Sequence, residues 1–171
     1  TAAYLEKLHS GAASDDVSDI SDVPPKSGLA KASGWLFPAL IILLIAAGFL
    51  KGGVAASSAL LIRWLLWNGS LAALGTLIAL GHPLSIITGF VGAPLATLNP
   101  FIGIGLFTGI VQAWIRKPQV ADMEMLTADI TTLKGWYKNK IAHILLIFFL
   151  SSLGGAIGNL IAVPALVSGL L

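Results

Sequence analysis

The residues of this chain best suited to chemistry lie at two junctions, Gly81-His82-Pro83 and Asn99-Pro100, with Asn68 and Thr97 nearby in type and setting. Each proline suits the first turn of a helix. Each junction would therefore leave a helix N-terminus, with unpaired N–H groups and partial positive charge, beside a short unwound stretch. Inside a membrane such breaks bind ions or anionic groups. His82, Thr97, Asn99 and Asn68 are accordingly the candidate polar or ligand site. The competing reading is structural. His82 would cap its helix or bond a freed carbonyl. Asn68, Asn99 and Asn159, with Thr76, Ser85, Thr88, Thr97 and Thr108, would join helices, because amides in an apolar medium must find partners.

Recognisable catalytic constellations are missing. The sequence has no His-Glu-x-x-His, no Gly-x-Ser-x-Gly, no phosphate-binding glycine loop and no paired carboxylates within its apolar segments. His9, His82 and His143 are scattered, and no carboxylate lies close in sequence to the last two. With zero cysteines there is no disulfide, thiolate metal site or thiol nucleophile. The expectation is no catalytic residue, no metal and no cofactor, so this chain by itself is not expected to be an enzyme. The net charge of +2 arises from lysines and arginines gathered in flanks and loops, without a basic stripe of interleaved aromatics, and nucleic acid is not an expected partner.

The elements that position these residues follow from one run. Between Trp64 and Ile115 there is no Asp, Glu, Lys or Arg. A bilayer-spanning helix needs about 20 apolar residues, so this run crosses or re-enters a membrane more than once. A composition 56% hydrophobic and 11% charged agrees. The expected fold is all-α: a polytopic integral membrane helical bundle with a Pro/Gly-broken hairpin, and the lipid bilayer is its first partner.

Residues 1–33 are expected to be a tail or linker from an upstream soluble domain, because the stretch from Gly11 to Lys26 is acidic, small and proline-terminated. The opening at Thr1 without Met reads as the downstream part of a longer protein. Residues 34–171 are expected to form the transmembrane domain. Its first span runs from Trp35 to Leu50 and stops at Lys51-Gly52-Gly53; Val54–Ile62 is a hairpin or the start of the next helix, and Trp64–Leu80 is the second span. Pro83–Leu98 and Pro100–Ile115 form two limbs of a hairpin, either spanning or re-entrant. An interfacial segment at about 117–139 follows, with Val120, Met123, Thr127, Ile130 and Leu133 at the spacing of one amphipathic helix. Ile141–Ala162 is the last span, which Pro164 bends or ends. Trp35, Arg63, Trp64, Trp67, Trp136 and Tyr137 are the expected interfacial anchors. Gly105-xxx-Gly109 and Gly154-xxx-Gly158 would serve packing within the chain or against a second copy in a homodimer.

Orientation follows from the basic residues. Lys26, Lys31, Arg116, Lys117, Lys134, Lys138 and Lys140 fall on one side if the hairpin returns to where it began, against Lys51 and Arg63 on the other. That side is cytoplasmic by the positive-inside rule, which puts the N-terminus inside a cytoplasmic (inner) membrane.

Read as strings, Leu66-Trp-Asn-Gly-Ser-Leu-Ala-Ala-Leu-Gly75, Gly81-His-Pro-Leu-Ser-Ile-Ile-Thr88, Ala93-Pro-Leu-Ala-Thr-Leu-Asn-Pro100, Arg116-Lys-Pro-Gln-Val120 and Leu133-Lys-Gly-Trp-Tyr-Lys-Asn139 resemble the C-terminal membrane region of the TraB/PrgY family, collinearly from Val23 to Pro164. The resemblance implies an upstream soluble domain related to metal-dependent Tiki-type proteases, and a role in shutting down the response to a cell's own peptide pheromone. The Gly-x-x-His and Glu-x-x-x-Arg motifs of that soluble domain do not occur here, so no catalytic residue carries over. The function expected for this chain is a membrane domain that anchors, and presents peptide to, its cytoplasmic hydrolase-like partner domain. The alternative is a small channel or transporter built on the 83–115 hairpin.

Overall fold

The structure, a computed structural model, describes residues 28–99 and 102–168. Most of the acidic linker expected over 1–33 lies outside the described residues, as does Pro100. Among the described residues there are helices and turns and no strand. The helices are α1 (Gly28–Ile78), α2 (Pro83–Thr97), α3 (Ile104–Ile115), α4 (Val120–Glu124), α5 (Leu126–Asp129), α6 (Leu133–Lys138) and α7 (Lys140–Ser168).

The helix α1 is two helices joined at Gly53, whose φ of 69° and ψ of −178° fall in a region open essentially to glycine. In a straight helix Ile41 and Trp64 would stand roughly 34 Å apart at ~1.5 Å per residue. Instead both belong to one buried cluster with Leu60, Ala162 and Leu166. The chain therefore doubles back at Gly53. The expected stop at Lys51-Gly52-Gly53 falls at this reversal, and the helix resumes at once, so the second apolar helix is Ser57–Ile78 and begins earlier than the expected Trp64. Ala32–Ala55, Ser57–Ile78 and Lys140–Ser168 are each long and apolar enough to cross a membrane. Their outward faces carry Leu36, Leu43, Leu50, Leu77 and Leu160 in the open. Pro164 lies within α7, which runs on to Ser168.

The second arm of α1 packs on α7 with backbones almost touching. A Cβ on Gly154 would strike the Leu71 carbonyl, and one on Gly75 would strike the Leu150 carbonyl. Glycine, which has no Cβ, permits this approach. Gly105, Gly109, Gly154 and Gly158 are all buried within the chain. The hairpin α2–α3 fills the space beside them, with Ala93, Ala96 and Ile104 packed on Ala72. Its second limb starts at Ile104 rather than at Pro100, with Gly103 as the N-cap residue.

The segment from Arg116 to Asn139 is not one amphipathic helix. Polar side chains take backbone donors and start new short helices. Asp122 Oδ2 accepts the Gln119 N–H at 2.7 Å, closing a capping box on α4, and Thr132 Oγ1 accepts the Gly135 N–H at 3.1 Å to start α6. Val120, Met123, Ile130 and Leu133 are consequently exposed on short separate helices instead of forming one stripe.

Candidate functional site

The structure divides the four candidate residues between two ends of the hairpin. Asn68, Thr97 and Asn99 come together at its tip. His82 stands at the other end of α2, whose 15 residues span about 22 Å.

At the tip, Asn68 from α1, Thr97 from α2 and Asn159 from α7 form a closed triangle. Asn68 Nδ2 donates to Thr97 Oγ1 at 2.9 Å and to Asn159 Oδ1. Asn159 Nδ2 donates to Thr97 Oγ1 at 3.1 Å, and the Thr97 hydroxyl donates to the Ala93 carbonyl at 2.9 Å. Thr97 thus uses its one donor and both its lone pairs. Asn68 is fully buried, yet its Oδ1 has no hydrogen-bond partner. Beside the triangle lies a cavity of about 230 Å³ that Asn68, Thr97, Asn99, Gly103, Ser152 and Asn159 help to line. The N-terminus of α3, which has no side-chain cap, borders it at Gly103 and Ile104. An unpaired buried acceptor and helix N–H groups without a side-chain cap around one cavity suit a small molecule, or water, that both donates and accepts.

At the opposite end His82 acts as a cap. Its Nδ1 accepts the Leu84 N–H at 3.2 Å, while its own backbone N–H donates to Gln112 Oε1 at 2.9 Å. The Ser85 hydroxyl donates to the same Gln112 oxygen at 2.9 Å. Gln112, 1% exposed, therefore ties the end of α3 to the start of α2. It is the sole glutamine in the uncharged run, and that solitude was the available signal.

The C-terminus of α1 meets the same end. The Leu80 N–H donates to Leu77 O at 2.8 Å and the Gly81 N–H to Thr76 O at 2.9 Å, with Leu80 at φ 55°. This is a Schellman ending with leucine in the left-handed position that glycine favours. The carbonyls left over are taken by side chains from beyond the hairpin. Tyr137 Oη donates to Ile78 O at 3.3 Å, and His143 Nε2 donates to Ala79 O at 2.7 Å. Because Nε2 carries the proton, His143 Nδ1 accepts from Arg116 Nη1 at 3.2 Å. Asn139 completes this end. Its Oδ1 accepts the Ile141 and Ala142 N–H groups at 3.0 and 3.2 Å, and its Nδ2 donates to Asp122 O at 2.7 Å and Asp129 Oδ2 at 3.0 Å. Asp122 is held below the usual carboxylate range chiefly by the Gln119 N–H, and also by the N–H and charge of Lys140, against an opposing effect of partial desolvation.

Among the expected anchors, Trp35, Trp67 and Tyr137 are exposed, while Trp136 is half-buried and donates through Nε1 to Ile130 O at 2.9 Å. Arg63 is exposed beside Trp67. Trp64 points the other way, 2% exposed in the core with Ile41 and Leu60, so it packs helices instead of meeting an interface. No group of His, Asp or Glu placed to hold a metal occurs among the described residues.

Three apolar helices long enough to cross a membrane, a short hairpin packed beside them and a hydrogen-bonded cap at one end make up an all-helical domain. The chain belongs to the TraB family: its residues 29–171 match the family's C-terminal domain. It is 30% identical over 99 residues to an uncharacterized protein of Methanocaldococcus jannaschii, an alignment covering 56% of this chain and 24% of that protein. This chain thus corresponds to about a quarter of that relative's length. No solved structure matches it.

Proposed function

We propose that this TraB C-terminal domain is a polytopic membrane anchor with three spans and a re-entrant hairpin, which holds an upstream domain of the protein at the cytoplasmic face of an inner membrane. One observation carries the reading: the hairpin begins and ends at the same end of the bundle. His82 is bonded to Gln112 there, and Arg116 reaches His143, which in turn meets Ala79. The tip lies against Asn68 and Asn159, in the interior of two long helices. The limbs, 15 and 12 residues, reach about 22 and 18 Å, short of a hydrocarbon core of about 30 Å. A hairpin that returns also leaves Arg116, Lys117, Lys134, Lys138 and Lys140 together on one side, as the positive-inside rule favours. Presentation of peptide to a hydrolase-like domain is the role that family membership suggests for such an anchor.

The cysteine-free chain makes the test direct. Single cysteines at Val54, Asn99 and Gln119 are probed in intact cells with a membrane-impermeant maleimide. Labelling of Val54→Cys alone from outside, with Gln119→Cys reached only after lysis, is expected. Strong external labelling of Asn99→Cys would mean that the hairpin spans, and external labelling of Gln119→Cys would reverse the orientation.

A second reading, a small polar-solute channel or carrier, is favoured by the unpaired Asn68 oxygen beside the tip cavity. Solute flux in proteoliposomes that is lost on Asn99→Ala would support it, and absence of flux for water and small neutral solutes would remove it.

A further inference from the structure

The charged end of the bundle carries a second cavity that the anchor reading does not use. Between α6 and the start of α7 lies an apolar groove of about 520 Å³, lined by Leu133, Trp136, Tyr137, Leu145, Leu146 and Phe149 among others. Its walls are fixed. The Trp136 indole donates to the Ile130 carbonyl and the Tyr137 hydroxyl to the Ile78 carbonyl, which holds both rings on the groove's walls. Leu133, 83% exposed, and Phe149, 60% exposed, have no covering element among the described residues.

What fits the groove is indicated by the charges beside it. On α6, Leu133 and Tyr137 stand four residues apart and form one row; Lys134 and Lys138, offset by one position, form the adjacent row. Both lysines are exposed, and no ion pair to either is found among the described residues. The carboxylates of Asp129 and Asp122 are turned to other partners, Asp129 to the Asn139 amide and Asp122 to the Gln119 and Lys140 N–H groups. A slot for hydrocarbon therefore opens beside a helix whose next row carries two exposed lysines, in a segment rich in the tryptophan, tyrosine and lysine that favour the headgroup level.

We propose that this groove binds one anionic phospholipid, with an acyl or alkyl chain against Leu145, Leu146 and Phe149 and the phosphate at Lys134 and Lys138. The chain burial supplies affinity for any phospholipid, and the lysines supply preference for a negative headgroup. The bound lipid would join α6 to α7 and set the level of the cap in the membrane. This assignment rests on the membrane reading above, but its test does not repeat that one.

The full chain, purified in dodecyl maltoside, is titrated with phosphatidylglycerol or phosphatidylcholine and read by native mass spectrometry. One phosphatidylglycerol is expected to be retained at a concentration at least tenfold below that needed for phosphatidylcholine. Lys134→Gln with Lys138→Gln should remove that preference, at roughly fivefold per lysine, while leaving lipid-free thermal unfolding unchanged. Leu146→Trp, which fills the groove, should weaken retention of both lipids. Equal retention of the two lipids by the unaltered chain, or a preference that survives loss of both lysines, overturns the assignment. So does unchanged retention in Leu146→Trp, since the groove would then not hold the chain. Any of these results from protein that still requires detergent for extraction leaves the membrane reading standing.

Discussion

The two ends of the hairpin are built from similar polar residues and reach opposite outcomes. At the cap end, Asn139, His143, Gln112 and His82 convert loose backbone groups of α1, α2 and α7 into hydrogen bonds, and the helix ends there are tied off by side chains. At the tip, Asn68, Thr97 and Asn159 bond mainly to each other, leaving one buried oxygen unpaired and a cavity alongside. A polar group that closes a helix end stabilises the fold, because its alternative is a buried orphan. A buried polar atom with capacity to spare costs stability unless something pairs it. The cap is closed by its own hydrogen bonds, whereas the tip keeps an unpaired oxygen beside a cavity.

That contrast is open to attack at several points, and the largest effect is expected at the cap. Asn139→Ala strands two N-cap donors of α7 and the Asp122 carbonyl contact, so a loss of about 2–3 kcal/mol is expected, measured as thermal unfolding in detergent. A loss no greater than that of an exposed substitution such as Glu124→Ala would break the assignment of the cap as framework. His143→Phe keeps the bulk but orphans the Ala79 carbonyl and should cost about 1–2 kcal/mol in the same assay. At the tip, Asn68→Leu removes two donated bonds and one unpaired oxygen together, and a smaller loss of about 1 kcal/mol is expected. An Asn68→Leu protein less stable than Asn139→Ala would invert the comparison.

The smallest effect is electrostatic. Because Asp122 is held below its ordinary value of 3.8 in the folded chain, its contribution is fully present above that value and is lost as pH falls below it, through the lower folded value. Unfolding midpoints followed downward from pH 5 should fall less steeply in Asp122→Asn than in the unaltered chain. Parallel profiles would show that the capping box on α4 contributes nothing.

Much of the fold was legible in the residues, and the failures have a common cause. Apolar length alone was enough for three membrane-length helices, and glycine at 52–53 was enough for a break. The reversal there was not legible, because a glycine pair permits many directions and only the packing of Ile41 on Leu60 and Trp64 selects one. Trp64 was misread for a related reason. Tryptophan beside arginine is typical of an interface, but the side of the helix that faces the core depends on partners from α7. The interfacial segment showed helical spacing, which periodicity could not distinguish from three short helices, with Asp122 and Thr132 capping the starts of two of them and Asn139 closing the last.

For the site, His82-Pro83 and Asn99-Pro100 were visible as helix starts, and their residue types were sufficient to propose capping or binding at either. Nothing local could show that His82 closes one end while Asn99 borders a cavity at the other. Gln112, Asn139 and Asn159 acquire their roles from contacts made 30, 17 and 62 residues away. The sequence by itself determined that this chain is helical, apolar and broken at defined places, since hydrophobic length and proline or glycine position are local properties of the chain. Which breaks meet, which polar atoms pair and which, such as Asn68 Oδ1 and Trp64 Nε1, are left over belonged to the tertiary structure alone, because a hydrogen bond across helices depends on where both partners stand in space.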